Sequence, residues 1–492
     1  MVYHLLTGAT GLLGSYFLRD CLLSGHRMAV LARPSKAESA RQRIESLLRH
    51  WEQVLGRTLP RCVVLESDLT QADLGLDGQS LQWIRGHCKA VVHNAASLVF
   101  RGVDGDGEPF LSNVEGTRRM LDLCRYAGIR QFHYVSTAYV CGLREGLVLE
   151  SEVDLGQTPG NAYEKSKLQA ELMVRAADFL DPPTIYRPSI IVGDSETGFT
   201  TTFHGFYTPL KLAHAMAGKV LPGATGGAPL ANCLGLQGHE RKNFVPVDWV
   251  SAVMSYIHGR PEHHGQTYHL TSPEPARVAE MAAAMQEAIE AYSPYATSPT
   301  DWTCDGDWFE RTFREQMVIY GAYWRDDPQF DRTSTARAAP HLLCPTLDRA
   351  AMVRLAKYAI DSNFGRQRQP KLMPEFDVHG HMSDLLRARE ALDQPARRRA
   401  HLGLQVNGPG GGQWELLVED GQLVAADDGV STRATAVYHL NSKTFQQLVR
   451  RQLTVRQAVR RGHVHIEGNG LEPERLEALL QAAATERVPN LA

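Results

Sequence analysis

At 492 residues, 43% of them apolar, with 52 Lys and Arg against 55 Asp and Glu, the chain has room for two or three domains and lacks the basic surplus of a nucleic-acid binder. It holds no run of about 18 apolar residues that would span a membrane and no charged leader before its first apolar segment, so a cytoplasmic protein is expected. Its eight cysteines are scattered with no C-x-x-C pair, which argues for reduced thiols and against a disulfide or zinc framework.

Residues 2–7 form an apolar, β-prone run, followed by Thr7-Gly8-Ala9-Thr10-Gly11-Leu12-Leu13-Gly14 and an amphipathic stretch over 15–24. Strand, glycine turn and helix in that order are the setting in which a glycine fingerprint binds a dinucleotide. Gly8 makes the tight turn, Gly11 lets the backbone approach a pyrophosphate, and Gly14 lets helix and strand pack closely. The helix N-terminus offers N–H groups and the positive end of its dipole to the phosphates. Thr7, Gly8, Thr10, Gly11, Leu12, Leu13 and Gly14 are therefore expected cofactor contacts. The G-x-x-G-x-x-G spacing resembles the short-chain dehydrogenase/reductase superfamily.

Further strands are expected at 28–32, 62–66, 90–93 and 131–135, with helices over 35–51 and 112–127. Short apolar runs alternating with helices predict an α/β fold, a doubly wound parallel sheet of Rossmann type. Ligands then sit at the carboxyl ends of the strands. The second strand ends in Arg33, where an acidic residue would select the ribose hydroxyl of NAD; arginine favours the 2′-phosphate of NADP. Arg43, with Arg41, adds charge from the following helix. Asp68 and Leu69 end the third strand and suit the adenine ring. Asn94, Ala95 and Ala96 end the fourth with small side chains that admit the cofactor.

The fifth strand closes in Val135-Ser136-Thr137-Ala138-Tyr139, and Tyr163 and Lys167 follow, four apart and so on one helix face. Carbonyl reduction needs a proton donor at the oxygen that becomes an alkoxide. A tyrosine with an ordinary pKa of about 10 is a poor acid at neutral pH, and a neighbouring ammonium lowers it. Thr137 or Ser136 supplies a hydroxyl that orients the carbonyl. Extended members of the superfamily favour Thr137 of the two. Arg187, Pro188, Ser189 and Ile190 end the sixth strand and are expected to face the nicotinamide. Asp248 reads as a helix cap or a substrate contact, and 265–271 as the last core strand.

Several motifs are narrower. Leu31-Ala32-Arg33-Pro34, Val92-His93-Asn94-Ala95-Ala96, Asn113-Val114-Glu115-Gly116-Thr117, Val135-Ser136-Thr137-Ala138-Tyr139-Val140 and Arg187-Pro188-Ser189-Ile190-Ile191-Val192-Gly193 together resemble the thioester-reductase and fatty acyl-CoA reductase branch, including the terminal domains of carboxylic acid reductases. The resemblance covers about residues 1–275 and adds Asn113 to the expected cofactor contacts. It implies NADPH, with Thr137, Tyr163 and Lys167 catalytic, and reduction of an acyl-CoA or acyl-carrier-protein thioester to an aldehyde, in some members onward to an alcohol. An extended-family enzyme for ketones, secondary alcohols or sugar nucleotides, and a non-catalytic lipid-transfer protein, stay open as other readings.

A first domain is expected over 1–385, its substrate lobe built from about 190–240 and 290–385. The aromatics Trp302, Trp308, Phe309, Phe313, Tyr320, Tyr323 and Trp324 suit a lid over an apolar acyl chain or the core of an enlarged lobe. A second domain is expected over 395–492: a hairpin around Asp420-Gly421, a strand at 434–440, helices at 443–451 and 455–461, a strand at 463–469 and a last helix at 472–485. Its W-x-L-x-V-x-D-G hairpin and G-H-V-H-I-E-G-N close resemble a sterol-carrier-protein type 2 domain, which implies an α/β module with an apolar tunnel for a lipid.

Overall fold

The computed structural model describes residues 2–102, 107–217, 236–293, 317–365, 376–387, 399–419, 422–429 and 434–468, together with Arg311, Glu315, Leu476, Glu477 and Leu480. The first part of the chain alternates strand and helix. These elements are β1 (Tyr3–Thr7), α1 (Leu12–Leu23), β2 (Met28–Ala32), α2 (Ala40–Leu55), β3 (Val63–Glu66), α3 (Gly78–His87), β4 (Cys88–His93), α4 (Gly116–Ala127), β5 (Gln131–Val135), β6 (Leu147–Val148), α5 (Ala162–Arg175) and β7 (Thr184–Pro188). Then come β8 (Ile190–Val192), α6 (Tyr207–Met216), β9 (Arg241–Lys242), β10 (Phe244–Pro246), α7 (Val247–His258), β11 (Thr267–Leu270), β12 (Ala276–Arg277), α8 (Val278–Tyr292), β13 (Gln329–Phe330), α9 (Thr333–Ala338) and α10 (Arg349–Asp361).

Seven strands form one sheet in the order β11-β7-β5-β4-β1-β2-β3, with parallel pairing throughout. Successive side chains face opposite sides of the sheet. Leu6, Val30 and Val92 join one core with Tyr16, Phe17, Trp51 and Met254, residues of α1, α2 and α7. Leu5, Leu31 and Val91 join the other with Trp83, Met120 and Val174, residues of α3, α4 and α5. The strands are thus buried on both faces, as the continuous apolar runs predicted. Each such Leu or Val contributes about 1.5–3 kcal/mol.

Local chemistry sets the helix ends. Ser39 and Gln42 make a capping box, which starts α2 five residues later than the apolar pattern suggested. Residues 111–115 form a π-turn ahead of α4. A separate core packs α6, α8 and α10 around Val192, Phe206, Met285 and Leu355. This is the lobe beside the carboxyl end of the sheet. Trp302, Trp308, Phe309, Phe313, the Tyr320 side chain, Cys233 and Cys304 lie outside the described residues.

After α11 (Val378–Arg387), a second sheet of order β16-β15-β14-β17-β18 is built from β14 (Arg399–Asn407), β15 (Gly412–Glu419), β16 (Gln422–Asp428), β17 (Ala436–Asn441) and β18 (Val464–Gly468). Its register pairs Glu419 with Gln422, as the hairpin signal required. Leu402, Leu404, Val406, Trp414, Leu416 and Val418 alternate onto one face and pack under α11, α12 (Ser442–Val449) and α13 (Val455–Arg460). The turn at Asp420-Gly421 and most of the expected last helix lie outside the described residues. Among the described residues no helix is long and apolar enough to cross a membrane.

Candidate active site

The glycine turn joins β1 to α1 through Gly8, whose φ of +74° suits glycine. A Cβ there would stand 2.7 Å from the Ala95 nitrogen, and one at Gly14 only 2.0 Å from the Gly8 carbonyl oxygen. Gly11 meets nothing nearer than 3.4 Å, so its open side is the cavity. Thr7 fastens this turn to the end of β4: its Oγ1 accepts from Asn94 N (3.1 Å) and Ala95 N (3.0 Å) and lies 2.8 Å from His93 Nδ1. Burial holds His93 neutral, its pKa pushed down to about 3. Thr117 donates to the Asn113 carbonyl (2.6 Å), so its oxygen accepts from His93 Nε2–H at 3.1 Å. Nδ1 is then bare and accepts from Thr7, which fixes the tautomer.

A cavity of about 630 Å³ runs from this turn across the carboxyl ends of the strands. At one end stand Arg33, Arg43, Asp68 and Leu69. Arg43 donates to Thr10 Oγ1 at 3.0 Å and to the Arg33 carbonyl, so the two arginines are drawn together. Partial burial and the Arg33 charge lower the Arg43 pKa, against a smaller upward pull from Glu38. Against partial burial, the Thr70 amide (2.9 Å) and hydroxyl (2.7 Å) hold Asp68 below the usual carboxylate range. Arg119 props Leu69 through its carbonyl (2.9 Å).

At the other end are Ser136, Thr137, Tyr163 and Lys167, with Pro188, Ser189 and Ile190 across from them. Asn161 caps α5 by accepting from Glu164 N at 2.9 Å, and this start puts Tyr163 and Lys167 one turn apart on the cavity side. Lys167 donates to the Val135 carbonyl (2.6 Å) and lies 4.2 Å from the centre of the Tyr134 ring. Burial pushes its pKa down to about 7. Burial, then the neighbouring Glu164, pushes the Tyr163 phenol up. The expectation that Lys167 lowers Tyr163 is thus corrected for this arrangement: the amine is turned to Val135, and desolvation dominates both groups. Thr137 Oγ1 accepts from Tyr139 N (3.3 Å) and donates to the Pro188 carbonyl (3.4 Å).

Three expected contacts stand behind the wall instead of on it. Gly14 packs on Gly8. Asn113, 1% exposed, accepts from Ser97 N (2.7 Å) and donates to Ser97 O (3.1 Å) and Ser166 Oγ (2.9 Å), so it ties the loop after β4 to α5. Arg187 is corrected outright: it makes a two-point pair with Glu171 of α5 (2.6 and 3.1 Å) and donates to the Glu152 carbonyl (2.8 Å). The alternation of β7 puts Pro188 on the cavity and therefore turns Arg187 away. Asp248 is neither a cap nor a wall residue: it accepts from Ser195 N (2.9 Å) and Ser195 Oγ (2.6 Å) and holds the loop after β8.

Phe100, His204, Lys242 and Phe244 complete the wall with Tyr323 and Trp324 of the aromatic segment. Phe100 packs edge-on against Tyr163 (5.8 Å) and Tyr323 (5.5 Å). Sequence reasoning missed Phe100 and His204, which arrive from separate loops, and Lys242 and Phe244, which come from the short strands β9 and β10. Glu164 was missed as well. Burial raises it to about 7 although the Gly160 amide donates to it at 2.7 Å.

Residues 6–254 match the male sterility protein family, and residues 382–481 match the SCP-2 sterol transfer family. A nonribosomal peptide synthetase of Aspergillus flavus is 26% identical over 314 residues, which is 60% of this chain and 29% of that protein. A carboxylic acid reductase of Mycobacterium marinum is 26% identical over 298 residues, 55% of this chain and 24% of that protein. The chain therefore spans under a third of either relative. The solved terminal R domain from the myxalamid PKS-NRPS biosynthetic pathway is 26% identical with a TM-score of 0.58, covering 74% of this chain and 92% of that one.

Proposed function

The chain belongs to the male sterility protein family, whose members bind a nicotinamide dinucleotide, and on that premise we propose that it is an NADPH-dependent reductase of acyl thioesters. One observation carries the reading: the Thr137, Tyr163 and Lys167 side chains share a single cavity with the glycine turn and the Arg33–Arg43 pair. The residues fit the dinucleotide. Gly11 leaves its bare backbone open to the cavity, and the neighbouring Arg33 and Arg43 side chains suit a 2′-phosphate. When bound there, NADPH supplies the hydride.

This chain's residues do the rest. Thr137 orients the acyl carbonyl, and the Tyr163 hydroxyl donates to its oxygen as negative charge grows there. Lys167, anchored on the Val135 carbonyl, holds the ribose. Phe100, Tyr323 and Trp324 exclude water from the acyl end. The thioester, carried on coenzyme A or a carrier protein, is supported by the relatives described as a carboxylic acid reductase and a nonribosomal peptide synthetase. Residues 1–385 act in this reading as the reductase and 395–492 as a lipid-binding module. Offering NADPH with a panel of acyl-CoA and carrier-bound thioesters tests it. The expected result is NADPH loss matched by aldehyde or alcohol in the mass spectrum. Turnover of ketones with none of thioesters would reject it.

A further inference from the structure

The seven-stranded sheet ends in β3, and an edge strand presents unpaired backbone groups that folds usually cover. Here the cover is the C-terminal sheet. Gln405 Nε2 donates to the Cys62 carbonyl (3.3 Å) and Gln413 Nε2 to the Val64 carbonyl (3.4 Å). Cys62 and Val64 are two apart, so these carbonyls point to one side of the strand. Gln405 and Gln413 are register partners in β14 and β15, which gives the two amides matching spacing.

The burial pattern agrees. The even-numbered residues of β14 form the apolar core, so the odd-numbered face would meet water in a free-standing module. Yet Gln405 is 2% exposed and Asn407 is 0% exposed. The turn after β14 sits on α2: a Cβ on Gly408 would stand 2.8 Å from Glu45 Cγ. Glu45 is fully buried there and paired with Arg61 and Arg49, both at 3.1 Å. Thr58 donates to the Arg461 carbonyl across the same boundary. Arg43 and Glu45 lie two apart on α2 and so face different ways, one to the cofactor cavity and one to the C-terminal turn. Ala40 N donates to Glu66 (3.4 Å), joining the start of α2 to the end of β3.

We propose that the C-terminal sheet is a fixed brace of the cofactor cavity, capping the edge of β3 and clamping α2 so that Arg43 is held ready for a 2′-phosphate. Gln405 and Gln413 are positioning residues in this scheme, acting through β3 and α2. The affinity part rests on the reading of Arg33 and Arg43 as the NADP(H) end.

The test uses the full chain carrying Gln405→Ala with Gln413→Ala, and separately Gly408→Ala, which crowds Glu45 without touching either amide. Calorimetry gives Kd for NADP+ and NAD+, and hydrogen exchange reports on Ala40–Leu55 and Val63–Glu66. Both variants are expected to raise Kd for NADP+ threefold or more, leave NAD+ within twofold, and speed exchange in α2 and β3. Unchanged exchange in those two elements would overturn the brace. So would a parallel loss of both dinucleotides, which marks general loosening. A wild-type chain with no preference for NADP+ would defeat the Arg33–Arg43 reading instead, and the exchange result would still decide the brace.

Discussion

Gly14→Ala sets two opposing effects against each other. Alanine is the better helix former by about 1 kcal/mol, so on an exposed helix the change would stabilise. Gly14 is inside α1 where it crosses β1, and the new methyl would sit 2.0 Å from the Gly8 carbonyl oxygen, 2.7 Å from its carbon and 2.8 Å from Asn94 Nδ2. Two of these are backbone atoms and cannot swing aside, so the helix must back off by about 1.4 Å to reach an ordinary contact. Overpacking of this kind costs roughly 1–3 kcal/mol, so the net change is a loss of up to about 2 kcal/mol. The same shift pulls the Gly11 turn off the pyrophosphate. Losing one charge-assisted hydrogen bond there, about 1.5–3 kcal/mol, weakens NADP+ binding roughly 10- to 100-fold. Thermal unfolding of the free protein and calorimetric titration with NADP+ measure the two parts. A Gly14→Ala protein as stable as wild type, binding NADP+ within twofold, would refute the reasoning.

Other outcomes follow from the same geometry. Arg187→Met takes from buried Glu171 its two-point ion pair, leaving the one to Arg175, and should cost up to about 3–5 kcal/mol in urea unfolding, with the NADP+ affinity of the folded protein unchanged. Arg33→Ala with Arg43→Ala should raise KM for NADPH roughly tenfold or more and leave KM for NADH within twofold, read from steady-state kinetics. Burial depresses Lys167 to about 7, below its unfolded value of about 10.4, so its share of stability is full above the unfolded value and is lost as pH falls through about 7. Lys167→Met should therefore remove the rise in stability between about pH 7 and pH 10, seen in melting temperatures across that range, while abolishing turnover.

The parallel sheet was legible because its strands are buried on both faces and read as unbroken apolar runs such as Met28–Ala32. The gathering of the glycine turn, Arg33, Arg43 and Asp68 along one cavity was legible too, because each follows the carboxyl end of a strand or the helix after it. Arg187 was misplaced because a strand end was taken as a whole, whereas alternation sends neighbouring residues to opposite sides. The opposite wall of the cavity was barely legible. Phe100, His204, Lys242 and Phe244 meet only through tertiary folding, and no local pattern marks them. The burial that sets the Lys167 and Glu164 proton affinities depends on the packed surroundings and has no signature in the spacing. The cover on β3 was hidden too, because a glutamine on the polar face of a strand reads as a surface residue until another sheet edge meets it.

The central claim is that this cavity passes a hydride to an acyl thioester, with Tyr163 donating to the acyl oxygen. A single-turnover reaction with NADPH deuterated at the reactive C4 position tests it, using a thioester the wild-type protein accepts and mass spectrometry of the product. The account predicts one deuterium on the former carbonyl carbon of the aldehyde, and a Tyr163→Phe variant that binds NADPH normally but forms product at least 100-fold more slowly. Product without deuterium, or a Tyr163→Phe variant as fast as wild type, would contradict it.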